Sequence, residues 1–181
     1  MPALAIWSPE DEVLGAVAPL ALGAAAGTAL IVDLDPDGPQ YPGEVSLASL
    51  VADGPAKADL SPHRHGVAVM RNGGIDPQEA EGVRHALVDG WPAVVLRLPA
   101  VHIADGSAVP VLPLVPGALL RRPSGPAVYQ RSAWRVQPPP NAVVLPRPSS
   151  GTIGRLLAGR APYPGDRWIR AWRQVWRNTW V

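Results

Sequence analysis

The sequence predicts an α/β fold, a three-layer sandwich around a mainly parallel sheet, on three observations. Short apolar runs of four to seven residues recur between stretches of helical spacing. Several of these runs are continuously apolar, as strands buried on both faces are, rather than alternating. Gly, Pro and Asp clusters punctuate nearly every junction, so strands and helices alternate along the chain.

Taken in order, residues 4–7 form a short buried strand, followed by Ser8, Pro9 and an acidic run. Ser8 with Asp11 three residues on reads as a helix start, the helix covering about 12–26, kinked or begun late at Pro19 and ended by Gly27. Residues 29–32 are aliphatic and β-branched, a central strand that stops at the DLDPDG segment, 33–38. After a Gly/Pro loop, 38–43, Leu47, Leu50 and Val51 have helical spacing, and 66–70 (GVAVM) is the next strand. Asp76, Pro77 and Glu79 mark a second capped helix running to about 88. Residues 93–98 (AVVLRL) form another buried strand. The run 109–115 carries Pro110 and Pro113, which predicts an edge or irregular strand, because proline cannot donate to a ladder. Residues 127–134 and 142–145 are the last strands, and helices near 152–157 and 166–180 close the chain. The whole reads as one domain, 1–181, with a C-terminal amphipathic helix.

Composition bounds the function. Gly and Pro, 18 and 23 of 181 residues, stay under the ~25–30% typical of low-complexity disorder, and a 47% hydrophobic content is enough for a core. Without Cys there is no disulfide scaffold, thiolate zinc site or Cys nucleophile, and a cytoplasmic protein fits best. The charge-free run 16–32 invites a membrane reading, but it is mainly Ala and Gly, is broken by Pro19 and Gly27, and follows acids where a signal peptide carries Lys or Arg. The near-neutral total hides an asymmetry: residues 1–90 hold 13 acids and 4 bases, residues 91–181 hold 2 acids and 12 bases. Opposite halves of this kind favour self-association.

At 28–38 (TALIVDLDPDG) the chain resembles the MinD/ParA superfamily of deviant Walker A ATPases, in which a buried strand ends in a D-x-D-P segment beside the nucleotide. The stretches 42–70, 77–91 and 93–99 (AVVLRLP), and 143–146 (VVLP) followed by 156–160 and a final helix, are similar to the subgroup related to the pilus-assembly proteins TadZ and CpaE. The resemblance implies a Rossmann-like, P-loop-NTPase-like fold, dimerisation across the nucleotide face, and a role in positioning or assembly. It also exposes departures. The family's phosphate loop needs glycine N–H groups and a Lys. Here the position reads SPEDEVLG, 8–15, with Glu10, Asp11 and Glu12 in place of glycines and lysines, and Pro9 without an N–H. The single Lys, Lys57, matches neither family lysine. The family strand that ends in an acid serving the metal has Arg97 at that place, and a guanidinium cannot ligate a cation. Phosphoryl transfer depends on loop, Lys and metal together, so the site is expected to be degenerate, without cofactor or metal and without catalytic residues. Ser8, Glu10, Asp11, Glu12, Asp33, Asp35 and Arg97 are expected to form a vestigial nucleotide-site face, with Arg97 paired to Asp33 or Asp35. In the alternative, Arg97 snorkels into solvent.

Other candidates are weaker. His63 and His65 have the spacing of two metal ligands on a strand, but lack a third ligand and flank Arg64, which favours a solvated loop. His85 and His102 lack a Ser or Asp partner, and Arg121 with Arg122 is a small basic point in a Pro-rich loop. The last residues are more distinctive. On a helix, Trp168, Trp172, Trp176 and Trp180 share one arc with Ile169 and Val175, opposite Arg170, Arg173 and Arg177. Such a helix either packs its aromatic face on the sheet or docks on an anionic membrane or a protein partner, and both readings stay open. Eleven Arg after position 120 leave nucleic acid as an unlikely partner, since no groove-reading motif accompanies them. The expectation is therefore a non-catalytic pseudo-ATPase scaffold acting through a protein partner or itself. The alternatives are a membrane-surface or nucleic-acid adaptor, or an ATPase with an unconventional loop.

Overall fold

The computed structural model describes residues 3–9, 11–62, 65–100, 108–116, 125–140 and 142–180. Glu10, His63, His102, Arg121 and Arg122 lie outside them. Among the described residues seven strands, β1 (Ala3–Trp7), β2 (Thr28–Asp33), β3 (Gly66–Met70), β4 (Val94–Arg97), β5 (Ala108–Leu114), β6 (Val128–Arg131) and β7 (Val143–Leu145), form one sheet in the order β3-β2-β4-β1-β5-β6-β7. Every pairing in it is parallel. Helices α1 (Glu12–Ala26), α4 (Ser150–Leu157), α5 (Arg167–Ala171) and α6 (Arg173–Arg177) share one core cluster, and α2 (Leu47–Asp53) and α3 (Glu81–Gly90) contribute to another. The protein is thus the three-layer, Rossmann-like α/β sandwich that the alternation of elements predicts.

The charge-free run 16–32 is the centre of this core. Ala16 to Leu22 and Gly23 are buried in α1, and Ala29 to Asp33 are buried in β2. α1 lies so close to the sheet that a Cβ on Gly23 would stand 2.5 Å from Ile31 Cδ1. Burial on all sides, rather than a bilayer, explains the absence of charge. No helix among the described residues is long and apolar enough to cross a membrane.

Four expectations need correction. Asp11, not Ser8, caps α1, its side chain accepting from Leu14 N at 2.9 Å. α3 begins at Glu81 rather than at Pro77. Asp76 instead closes a turn by accepting from Gln78 N at 2.7 Å, and its carbonyl takes Glu79 N, so one tight turn precedes the helix. β5 is a central strand despite Pro110 and Pro113. Its residues 108–110 pair with β1 and its residues 111–114 with β6, so neither proline lies in a stretch laddered on both sides. Finally, the C-terminal segment is two short helices that meet at Trp172, not one helix over 166–180.

Candidate functional site

In open parallel sheets the space beyond the strand carboxyl ends is where ligands bind. Here β1, β4 and β2 are neighbours, and their ends bring Ser8, Arg97 and Asp33 together, with Arg97 in register with Asp33. The Arg97 guanidinium is 2% exposed. Its Nη1 donates to Asp33 Oδ2 at 3.2 Å and to the Pro39 carbonyl at 2.7 Å, and its Nη2 donates to Asp35 Oδ2 at 2.9 Å. The pair expected with one of the two acids is a pair with both, and the snorkelling alternative is overturned.

The DLDPDG turn is shaped around this arginine. Asp33 Oδ1 accepts from Asp35 N at 3.1 Å, and Asp35 Oδ1 accepts from Gly38 N at 3.0 Å, so Asp33 fixes the backbone that presents Asp35, and Asp35 fixes the turn that follows it. Any Cβ at Gly38 would collide with Arg97 Nη2 and the Asp35 carboxylate, so only glycine fits there. The guanidinium carbon stands 5.1 Å from the centre of the Tyr41 ring, a cation–π distance, and the Tyr41 hydroxyl donates to the Ala16 carbonyl at 2.6 Å. Residue types and spacing give Pro39 and Tyr41 no role in the site, and they place Gly38 only at the start of a loop. The close D-x-x-G spacing after Asp35 was the available signal for Gly38.

Burial pushes the Asp33 carboxyl up to about 6, an effect larger than the pull of Arg97 in the other direction. Burial also raises Tyr41 above its usual range, so its hydroxyl stays a proton donor. The site is a closed arrangement in which one guanidinium fork spans the carboxyl groups of Asp33 and Asp35.

Beside it lies a cleft of about 190 Å³ whose lining includes Ser8, Glu12, Asp37, Gly38, Arg97 and Leu98. Glu12 and Asp37 are exposed, whereas Ser8 is 2% exposed and its Oγ has no hydrogen-bond partner. A buried hydroxyl left unpaired costs about 1–3 kcal/mol. Arg97 Nε is likewise unpaired. Of the sequence-derived face, Ser8, Glu12, Asp33, Asp35 and Arg97 converge, while the Asp11 side chain caps α1 instead.

The C-terminal candidates separate by residue type. Trp168 and Trp172 are buried and meet edge to face at 5.8 Å, and Ile169 and Val175 are buried beside them. Trp168 Nε1 donates to Gln130 Oε1 at 2.6 Å, and Trp176 Nε1 donates to the Leu22 carbonyl at 2.9 Å. Trp180 is half-buried, its Nε1 bonded to the Val175 carbonyl. The aromatic face is therefore packed on α1 rather than presented outward. Arg170, Arg173 and Arg177 are exposed, with no carboxylate partner among the described residues.

His65 meets Thr28 Oγ1 at 3.0 Å, and His85 is exposed on α3. Among the described residues no group of three or more His, Asp or Glu is placed to hold a metal ion. What the fold and site define together is a parallel α/β protein whose strand ends enclose an arginine–dicarboxylate triad. No protein-family model matches the chain, and no curated protein is significantly similar to it.

Proposed function

We propose that the protein is a non-catalytic member of the MinD/ParA type, a pseudo-ATPase that works as a positioning, scaffold or regulatory protein through protein–protein contacts. The observation that carries this reading is the Arg97 triad. The guanidinium stands at the strand carboxyl ends, the region that nucleotide and metal would occupy in an ATPase of that type, and it is held there by Asp33 and Asp35. The start of α1 supports the same reading. A helix N-terminus favours anions, but this one is capped by Asp11 and followed by Glu12, so a triphosphate would meet like charge. Surfaces are then what remain for function, the acidic strand-end face and the exposed arginines of α5 and α6. Their opposite signs fit association of one copy with another.

Phosphate release from ATP or GTP, with and without magnesium, tests the reading. The expected result is release at the rate of buffer alone. Magnesium-dependent release that disappears in Asp33→Asn overturns it.

A second reading has its own observation. The exposed Arg170, Arg173 and Arg177 form a basic face suited to an anionic membrane surface or a nucleic-acid backbone. In that reading the arginines act electrostatically, without insertion of the buried tryptophans.

A further inference from the structure

We propose that the cleft between Ser8, Glu12 and Asp37 is a binding site for a guanidinium group, the end of an arginine side chain presented by another chain. The inference rests on the reading that the strand ends receive a partner rather than a nucleotide.

Three features of the cleft select this ligand. Its sign is set by carboxylates: Glu12 and Asp37 stand exposed on its walls, while the charge of Arg97 is already matched by Asp33 and Asp35. The excess is negative and calls for a cation. Its lining holds an unpaired hydroxyl, because Ser8 borders the cleft, is 2% exposed, and its Oγ has no hydrogen-bond partner. A ligand with several N–H groups in a plane reaches a hydroxyl and flanking carboxylates at once, which a guanidinium does and a single-point ammonium does less well. Its volume of about 190 Å³ is below the ~300–1,000 Å³ of typical small-molecule pockets and suits the tip of one side chain. A bare metal ion fits less well, since the described carboxylates form no cluster that would hold one.

The test is a titration of the isotope-labelled full chain followed by amide chemical shifts, with acetylarginine amide as probe and acetyllysine amide, acetylglutamate amide and Mg-ATP as comparisons. Acetylarginine amide is expected to shift the amides of Ser8, Glu12, Gly38 and Leu98, acetyllysine amide to shift them less, and acetylglutamate amide not at all. Ser8→Ala is expected to weaken the arginine probe by about tenfold, the effect of losing one hydrogen bond to a charged group, while leaving Tm unchanged or raised. Glu12→Gln with Asp37→Asn, both at exposed positions, is expected to abolish the response in a protein that still folds. No shifts with arginine, shifts undiminished in Ser8→Ala, or a Tm lowered by Ser8→Ala would overturn the site. Shifts from Mg-ATP at the same amides would instead contradict the non-catalytic reading, so the two failures are distinguishable. Sedimentation of the protein alone separates the sources of the arginine. Association that acetylarginine amide reverses identifies a second copy, and a monomer that still binds the probe identifies a different protein.

Discussion

Arg97 contributes to stability and to the shape of the strand ends at once, because its fork fixes both acids of the turn after β2. Removing it leaves Asp33 and Asp35 as buried neighbours without a counter-charge. Arg97→Ala is therefore expected to lower the unfolding free energy by about 3–5 kcal/mol, measured by urea denaturation. Arg97→Lys keeps the charge but not the planar fork that spans two carboxylates and a carbonyl, and should recover only part of the loss. Asp33 gives the site a pH signature. Its carboxyl is raised from 3.8 to about 6 in the folded protein, so between those values the folded chain binds the proton more tightly than the unfolded one. The contribution of this group to stability is thus largest below pH 4, falls as pH rises through about 4 to 6, and is constant above. The stability of the natural chain minus that of Asp33→Asn should show this fall in denaturation curves taken at successive pH values. At this scale the pairing of Arg97 with the acids was legible, because a charged residue at the end of an apolar strand needs a partner and Asp33 and Asp35 end the neighbouring one. The Pro39 carbonyl and Tyr41 ring were not. They reach Arg97 through the course of a loop, which residue spacing does not encode.

At the scale of elements, the C-terminal helices show how composition leaves two physical outcomes open. An arc of tryptophan opposite arginine suits a bilayer surface and a sheet equally, and only the position of α1 decides between them. With Phe absent from the chain, Trp168 and Trp172 supply core volume beside α1. Trp172→Ala is accordingly expected to cost about 3–5 kcal/mol of stability, read from the denaturation midpoint. Replacing Arg170, Arg173 and Arg177 by Gln should change stability by no more than about 0.5 kcal/mol each. Co-sedimentation with anionic vesicles by the natural chain, lost in that triple variant, would establish the membrane form of the adaptor reading, and no co-sedimentation by either would remove that form. The two prolines of β5 carry a related lesson. Proline marks a strand as peripheral only on the premise that a central strand is laddered on both sides along its whole length. β5 divides its length between two neighbours, and nothing local to its sequence reveals that division.

For the whole molecule, alternation of apolar runs and helical spacing was enough to give the layers, because each run must bury two faces. Strand order was not legible, since it depends on which side of β1 each crossover turns. The charge asymmetry of the chain becomes spatial in part: Glu12, Asp33, Asp35 and Asp37 gather at the strand ends, and Arg170, Arg173 and Arg177 lie exposed on the closing helices. If copies associate through these faces, sedimentation should show assembly at low ionic strength that salt of a few hundred millimolar dissolves. If the buried guanidinium takes the place of a nucleotide and its metal, as proposed, calorimetric titration of the full chain with ATP in the presence and absence of magnesium will show it. No binding heat is expected up to millimolar nucleotide in either condition. Micromolar binding that requires magnesium would contradict it.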